Sequence, residues 1–332
     1  MTFTATAPDR SNDPRVLGAA AITVLLWASA FIVIRGAGEH FGPGGMALLR
    51  MLVGSAALSV VVLIRHRTRG VAWPSLRSLP AVVVWGVAWF GVYNLALNAA
   101  EQSIDAGTAA MLVNVAPLIV VVLAGFLLGE GFPRQLMLGV PVAFGGVVLI
   151  GVSTSTGQNS VVGVLLALAA AVLYGGSALA QKHLLRRVDP VVLTWVGALA
   201  GTVALLPWAG SLGAELGGAP VTAVWAVIYL GVFPTAIAFL TWAFVLGRSS
   251  AGRTAATTYV VPALAVLMGW LLLGEVPTPL ALVGGALCLA GVFITRLRPR
   301  RPAGGDPSSS AAADRPAAAG AASGDRTRPG RP

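Results

Sequence analysis

The chain has 332 residues, 56% of them hydrophobic and 10% charged. A soluble domain of this size carries about 25% charge, so a water-soluble globule is excluded. The single cysteine, Cys288, excludes an intrachain disulfide and a thiolate metal cluster, and the net charge of +10 calls for an explanation in its distribution.

Residues 1–15 are polar and form an N-terminal tail. Ten apolar runs follow, separated by charges or turn residues: 16–35, 44–64, 79–99, 106–128, 134–152, 162–181, 190–208, 222–246, 252–273 and 279–297. A run of about 20 apolar residues crosses a bilayer, and only a helix satisfies its own backbone hydrogen bonds there. The first run could be a signal peptide, but its length and the nine runs behind it identify a retained helix. "HFGPGG", "STSTGQNS" and "GSLGAELGGAP" read as breakers after spans 1, 5 and 7. Residues 298–332 are rich in Pro, Ala, Gly, Ser and Arg with no apolar period; they read as a disordered, basic cytoplasmic tail.

With the N-terminus in the cytoplasm, 20 of the 22 basic residues fall on the inner side. Only Arg35 falls outside, and Arg50 lies within span 2. This positive-inside distribution accounts for the net charge through topology and contact with anionic lipid, so nucleic acid is not needed as a partner. The expected location is the inner membrane, multi-pass, with both termini cytoplasmic.

"LLGE" occurs twice, at 127–130 and 272–275, each time 13 residues after a proline, Pro117 and Pro262. The shift of 145 residues also pairs Ala106-Gly107 with Ala251-Gly252, Gly139 with Gly284, and Gly146-Val147 with Gly291-Val292. A shift of 147 pairs Trp27 with Tyr174 and Pro43 with Pro190. Residues 16–152 and 162–297 therefore read as two copies of one five-helix unit. Five is odd, so the second copy enters the membrane from the opposite side. The predicted fold is an all-α integral membrane protein of ten transmembrane helices in two inverted repeats, an arrangement characteristic of secondary transporters.

Spans of this number and pairing, "WASAFIVIRG" (27–36), "ALLR" (47–50), and the proline with "LLGE" in spans 4 and 9 resemble the EamA-type transporters of the drug/metabolite transporter superfamily. The resemblance covers about residues 15–297. It implies an inner-membrane carrier, often an exporter of amino acids or other metabolites. One departure is Gly197, where a shift of 147 from Arg50 would place a second arginine.

Polar side chains are costly in lipid and tend to face a bundle interior or wet cavity. Candidates for a substrate cavity are Trp27, Ser29, Tyr93, Asn94, Asn98, Asn114, Tyr174, Ser177, Trp242 and Tyr259. Pro117 and Pro262 are expected to free carbonyls near the middle of spans 4 and 9, beside Asn114 and its repeat partner Tyr259. Arg50 could pair with Glu101 or Asp105 as an outer gate, or bind a substrate carboxylate; the gating role is favoured. Glu130 and Glu275 end helices, where a negative charge opposes the dipole and needs a compensating partner; with Pro117, Pro262 and Arg50 they form the gating and structural set. Gly145-Gly146 and Gly284-Gly285 read as close-packing positions.

No Asp, Glu, Lys or His falls at mid-depth, the three histidines fall in loops, and no P-loop is present. The leading expectation is a secondary transporter exporting a small organic metabolite by alternating access, with a small molecule and the bilayer as partners, and a coupling ion, H+ or Na+, unassigned. No metal or cofactor is expected. An intramembrane enzyme or a channel-like subunit is the alternative.

Overall fold

A computed structural model describes residues 13–116, 118, 134–154, 158–248 and 257–296. Among them the secondary structure is helical with no strand. Local chemistry sets the starts. Asp13 accepts from the Arg15 amide and Pro14 occupies the first turn of α1 (Pro14–Ala37). Pro43 opens α2 (Pro43–Arg69). Asp105 caps α4 (Ala106–Val113), taking the Thr108 amide at 2.8 Å and its hydroxyl at 2.6 Å. Asp189 caps α7 (Pro190–Leu205) through the amides of Val191 and Val192.

The remaining helices are α3 (Leu79–Glu101), α5 (Arg134–Thr154), α6 (Gln158–Leu184), α8 (Ala209–Gly218), α9 (Val221–Arg248), α10 (Val260–Leu273) and α11 (Pro279–Arg296). Six segments are long and apolar enough to cross a bilayer: α1, α2, α3, Val161–Leu184, Pro190–Gly218 and α9. Met137–Ile150, Val260–Leu273 and Pro279–Ile294 are shorter apolar helices. Pro117, Glu130, the first "LLGE" and both chain ends lie outside the described residues.

Three expectations are corrected. The "GSLGAELGGAP" breaker is mostly helical: a 3-10 turn at Leu206–Trp208 joins α7 to α8. There Trp208 covers Gly44, and the Glu215 carboxylate covers Gly42 and Gly45 at the start of α2. Secondly, Pro262 frees no mid-helix carbonyl, and the Thr258 carbonyl four residues before it accepts from the Val261 amide. The proline sits in the first turn of α10, where no intrahelical donor is needed, and the break is a turn at Thr258–Tyr259. A turn at Asn114–Val115 ends α4 at the corresponding place, 144 residues earlier. Thirdly, Gly145 is not a packing position: it faces outward and has no neighbour that a Cβ would meet.

Two helices change their winding at matched positions. α3 is π-helical over Val87–Val92 and α9 over Gly231–Ile237. A π turn leaves carbonyls without their usual donors. Asn94 Nδ2 donates to the Trp89 and Phe90 carbonyls at 3.3 and 3.0 Å; the Thr235 hydroxyl donates to the Leu230 carbonyl at 2.8 Å.

Close packing fixes how helices cross. α2 and α7 run antiparallel: Arg65 meets Asp189, Ser59 accepts from the Trp195 indole, and Ser55 meets Thr202 at 2.8 Å. α5 and α11 are antiparallel too, with Gly291 against Ala143 and Gly146 against Gly284 and Cys288. Cys288 Sγ stands 3.4 Å from the Ala143 carbonyl. Gly86 lies on Gly197, while Gly231 lies on the Arg50 carbonyl and Val53. Small residues here let backbones approach within side-chain range.

Candidate functional site

The interhelical space is walled mainly by rings. Trp27, Ala30 and Phe31 come from α1, Trp89, Tyr93 and Leu97 from α3, Tyr174 from α6 and Phe239 from α9. Val113 and Asn114 enter from the broken end of α4, and Thr258 and Val261 from the turn before α10 and its first residues. Arg50 supplies the charge. Trp27 centres the ring cluster, with centroids 6.0 Å from Tyr174, 5.6 Å from Phe239 and 5.0 Å from Trp242. Trp89 closes the circuit at 5.8 Å from Tyr174 and 5.1 Å from Phe239, and Tyr93 lies 6.3 Å from Tyr174. Such edge-to-face sets are rigid walls with polar rims.

The space between these walls is about 40 Å³. That holds roughly two or three waters, so an organic solute requires the helices to part. Salt bridges hold both ends. Arg35 Nε meets Glu275 Oε1 at 2.7 Å, and Arg35 Nη1 donates to the Glu101 carbonyl at 2.8 Å, tying together the ends of α1, α3 and α10. Arg35 thus supplies the charge that the helix-ending Glu275 needs. Gly274 makes the turn possible: it takes φ 66°, and the Glu275 amide reaches back to the Gly269 carbonyl. Arg65 stands near the C-terminal end of α2, about 33 Å along that helix from the turn that follows α1, and so marks the other end; it meets Asp189 at 2.6 Å.

Arg50 is 4% exposed. Its Nε donates to Thr235 Oγ1 at 2.8 Å, and its Nη1 is buried without an acceptor among the described residues. It makes no salt bridge there with Glu101 or Asp105: Asp105 is spent on capping α4, and Glu101, 1% exposed, has both carboxylate oxygens unmatched.

Of the ten cavity candidates, Trp27, Tyr93, Asn114 and Tyr174 line the space. Six do not. Ser29 bonds to Tyr229 and the Leu26 carbonyl. Asn94 serves the π turn, and Asn98 donates to the Pro43 carbonyl at the start of α2. Ser177 offers its carbonyl to the buried Trp85 indole. Trp242 stands behind Trp27 and donates to Gln181 Oε1 at 3.0 Å, and Tyr259 packs on the core beside the lining Thr258. Trp89, Phe239, Phe31 and Thr235 were missed. The repeat offered one signal: the 145 shift maps Asn94 onto Phe239 and Phe90 onto Thr235.

A sequence model of the EamA-like transporter family matches twice, over residues 15–152 and 161–297. The chain is 36% identical to a probable terminal-alkyne amino-acid exporter of Streptantibioticus cattleyicolor, over 86% of this chain and 94% of that protein. It is 31% identical to the uncharacterized transporter YdfC of Bacillus subtilis, over 87% and 93%. A probable amino-acid metabolite efflux pump of Salmonella typhimurium is 26% identical, over 83% and 92%. A solved crystal structure, 22% identical, shares the fold with a TM-score of 0.60 over 86% of this chain and 99% of that one.

Proposed function

The chain belongs to the EamA-like transporter family, and from that premise we propose that it is a secondary transporter exporting a small organic metabolite through the ring-walled cavity by alternating access. The two halves, 16–152 and 162–297, act as inverted five-helix repeats. Four contacts support this. Ser55 and Thr202, 147 apart, touch each other, and so do Ala143 and Cys288, 145 apart. The pairs Gly86–Gly197 and Gly231–Arg50 exchange under the same shifts. A residue that meets its own counterpart lies on a twofold axis. Antiparallel counterparts, α2 with α7 and α5 with α11, support an axis in the membrane plane.

The observation that carries the proposal is a cavity walled by both halves, beside matched π turns and helix breaks. Ion pairs at both ends and a 40 Å³ interior support reading this conformation as a closed one. Opening one face requires breaking one pair while the other holds. The distribution of basic residues supports an inner-membrane orientation with cytoplasmic termini. The relatives' names make amino acids and their derivatives the first solutes to test.

The test is flux of labelled amino acids in proteoliposomes. A carrier saturates and shows counter-transport, trapped unlabelled solute accelerating entry of label. Flux that stays linear in concentration without counter-transport would replace the carrier with a pore.

A further inference from the structure

Arg50 is a buried cation whose own fold leaves it incomplete. A guanidinium offers five N–H donors in a planar fork. Thr235 holds the Nε edge at 2.8 Å, and that hydroxyl is itself fixed by donating to the Leu230 carbonyl of the π turn. Nη1 is buried with no acceptor among the described residues, and the side chain lines the cavity. An unpaired buried charge is expensive, so it persists where an anion arrives from outside or a neighbour swings in.

The repeat shows that this corner is built on one side only. Arg50 and Thr235 correspond to Gly197 and Phe90 in the other half. At Gly197 a Cβ would meet Phe90 at 3.1 Å and Trp85 Cε3 at 2.9 Å, so rings fill the space that the guanidinium takes opposite. The cavity therefore carries its charge at one wall, and rings make up much of the others.

We infer that Arg50 is the anion-binding residue of the cavity, that Thr235 is its positioning residue, and that the solute carries a carboxylate or similarly planar anion on an apolar body. The anion takes the free face of the fork while Trp27, Trp89 and Phe239 enclose the body. This deepens the carrier reading and rests on it for its consequence, a fixed solute orientation. Its chemistry is tested by binding alone. Glu101 is the internal competitor: it lies within electrostatic reach of Arg50, Arg35, Asp105 and Glu275, and its oxygens are equally unmatched.

The experiment is calorimetry on the purified full chain in detergent, with phenylacetate and its neutral amide, phenylacetamide. The wild type is expected to prefer the acid by about tenfold or more, the worth of a charge-assisted hydrogen bond. Arg50→Gln removes the preference and keeps amide binding. Thr235→Val reduces the preference several-fold by releasing the fork, and Thr235→Ser restores it, which loss of packing alone would not produce. Should Arg50→Gln not elute as a monodisperse protein, the two Thr235 variants decide. Equal affinity for acid and amide, no acid binding, a preference that survives Arg50→Gln or ignores Thr235→Val, or one that disappears in Glu101→Gln instead, overturns the assignment. Absent flux with this preference intact overturns the carrier and leaves the anion site standing.

Discussion

Gly145 and Gly146 are neighbours in α5, and alanine has opposite expected consequences at the two. At Gly145 a Cβ meets nothing within 4 Å. Substitution there gains helix propensity, up to about 1 kcal/mol on the aqueous scale. At Gly146 the Cβ lands on the Gly284 carbonyl oxygen, 2.7 Å from the Cys288 amide nitrogen and 2.8 Å from its Sγ. Backbone atoms cannot rotate aside, so α5 and α11 must separate and lose dispersion along their crossing, which costs about 1–3 kcal/mol. The adjacent variants should therefore differ by about 2–4 kcal/mol. Gly291, packed on Ala143 and the Gly139 carbonyl at 2.6 Å, should behave like Gly146. The double variant should lose less than the sum, because one separation relieves both contacts. Unfolding by a denaturing detergent in mixed micelles measures these differences. Equal midpoints for Gly145→Ala and Gly146→Ala, or strict additivity at Gly146 and Gly291, would refute the crossing.

Trp27→Ala opens the ring circuit at its centre and should lower flux about tenfold or more while membrane insertion stays normal; wild-type flux would remove that wall from the mechanism. At the opposite face, Asp189→Asn keeps a good cap but loses the pair with Arg65, whose side chain is 37% exposed against 15% for Asp189. Stability should fall by less than about 1 kcal/mol, whereas Asp189→Ala adds about 1 kcal/mol for the lost cap; thermal unfolding ranking the two in reverse contradicts this. In a Cys288→Ala background, cysteines at exposed Glu39 and Gly210 should react with an impermeant maleimide from outside, and those at Ser75 and Arg187 only after permeabilisation. Labelling of Glu39 and Arg187 from the same side would dissolve the antiparallel halves.

The cavity shows where sequence reasoning stops. Trp27 and Tyr174 are legible through their repeat relation, Asn114 through its place beside Pro117 and its pairing with Tyr259, and Tyr93 through its polar hydroxyl. Trp89 and Phe239 could not be told from Trp225 and Trp270, which the structure leaves exposed on the outer surface. In water, polarity separates the inner face of a helix from the outer one. In lipid both faces are apolar, so that signal vanishes and only packing decides which ring faces inward. Asn94 and Asn98 misled for the same reason: amides can serve a cavity or a backbone, and the π turn that claims Asn94 does not appear in composition.

What the sequence by itself determined is the class of the molecule, most helix positions, the 145 and 147 shifts and the departure at Gly197, because hydropathy and repetition are one-dimensional. The tertiary structure alone decided that Ser55 touches Thr202, that Arg35 answers Glu275, and that Arg50 turns from Glu101 to Thr235. Such pairings depend on helix rotation and depth, which close backbone contacts set at glycines such as Gly86 and Gly231, and no local pattern along the chain records them.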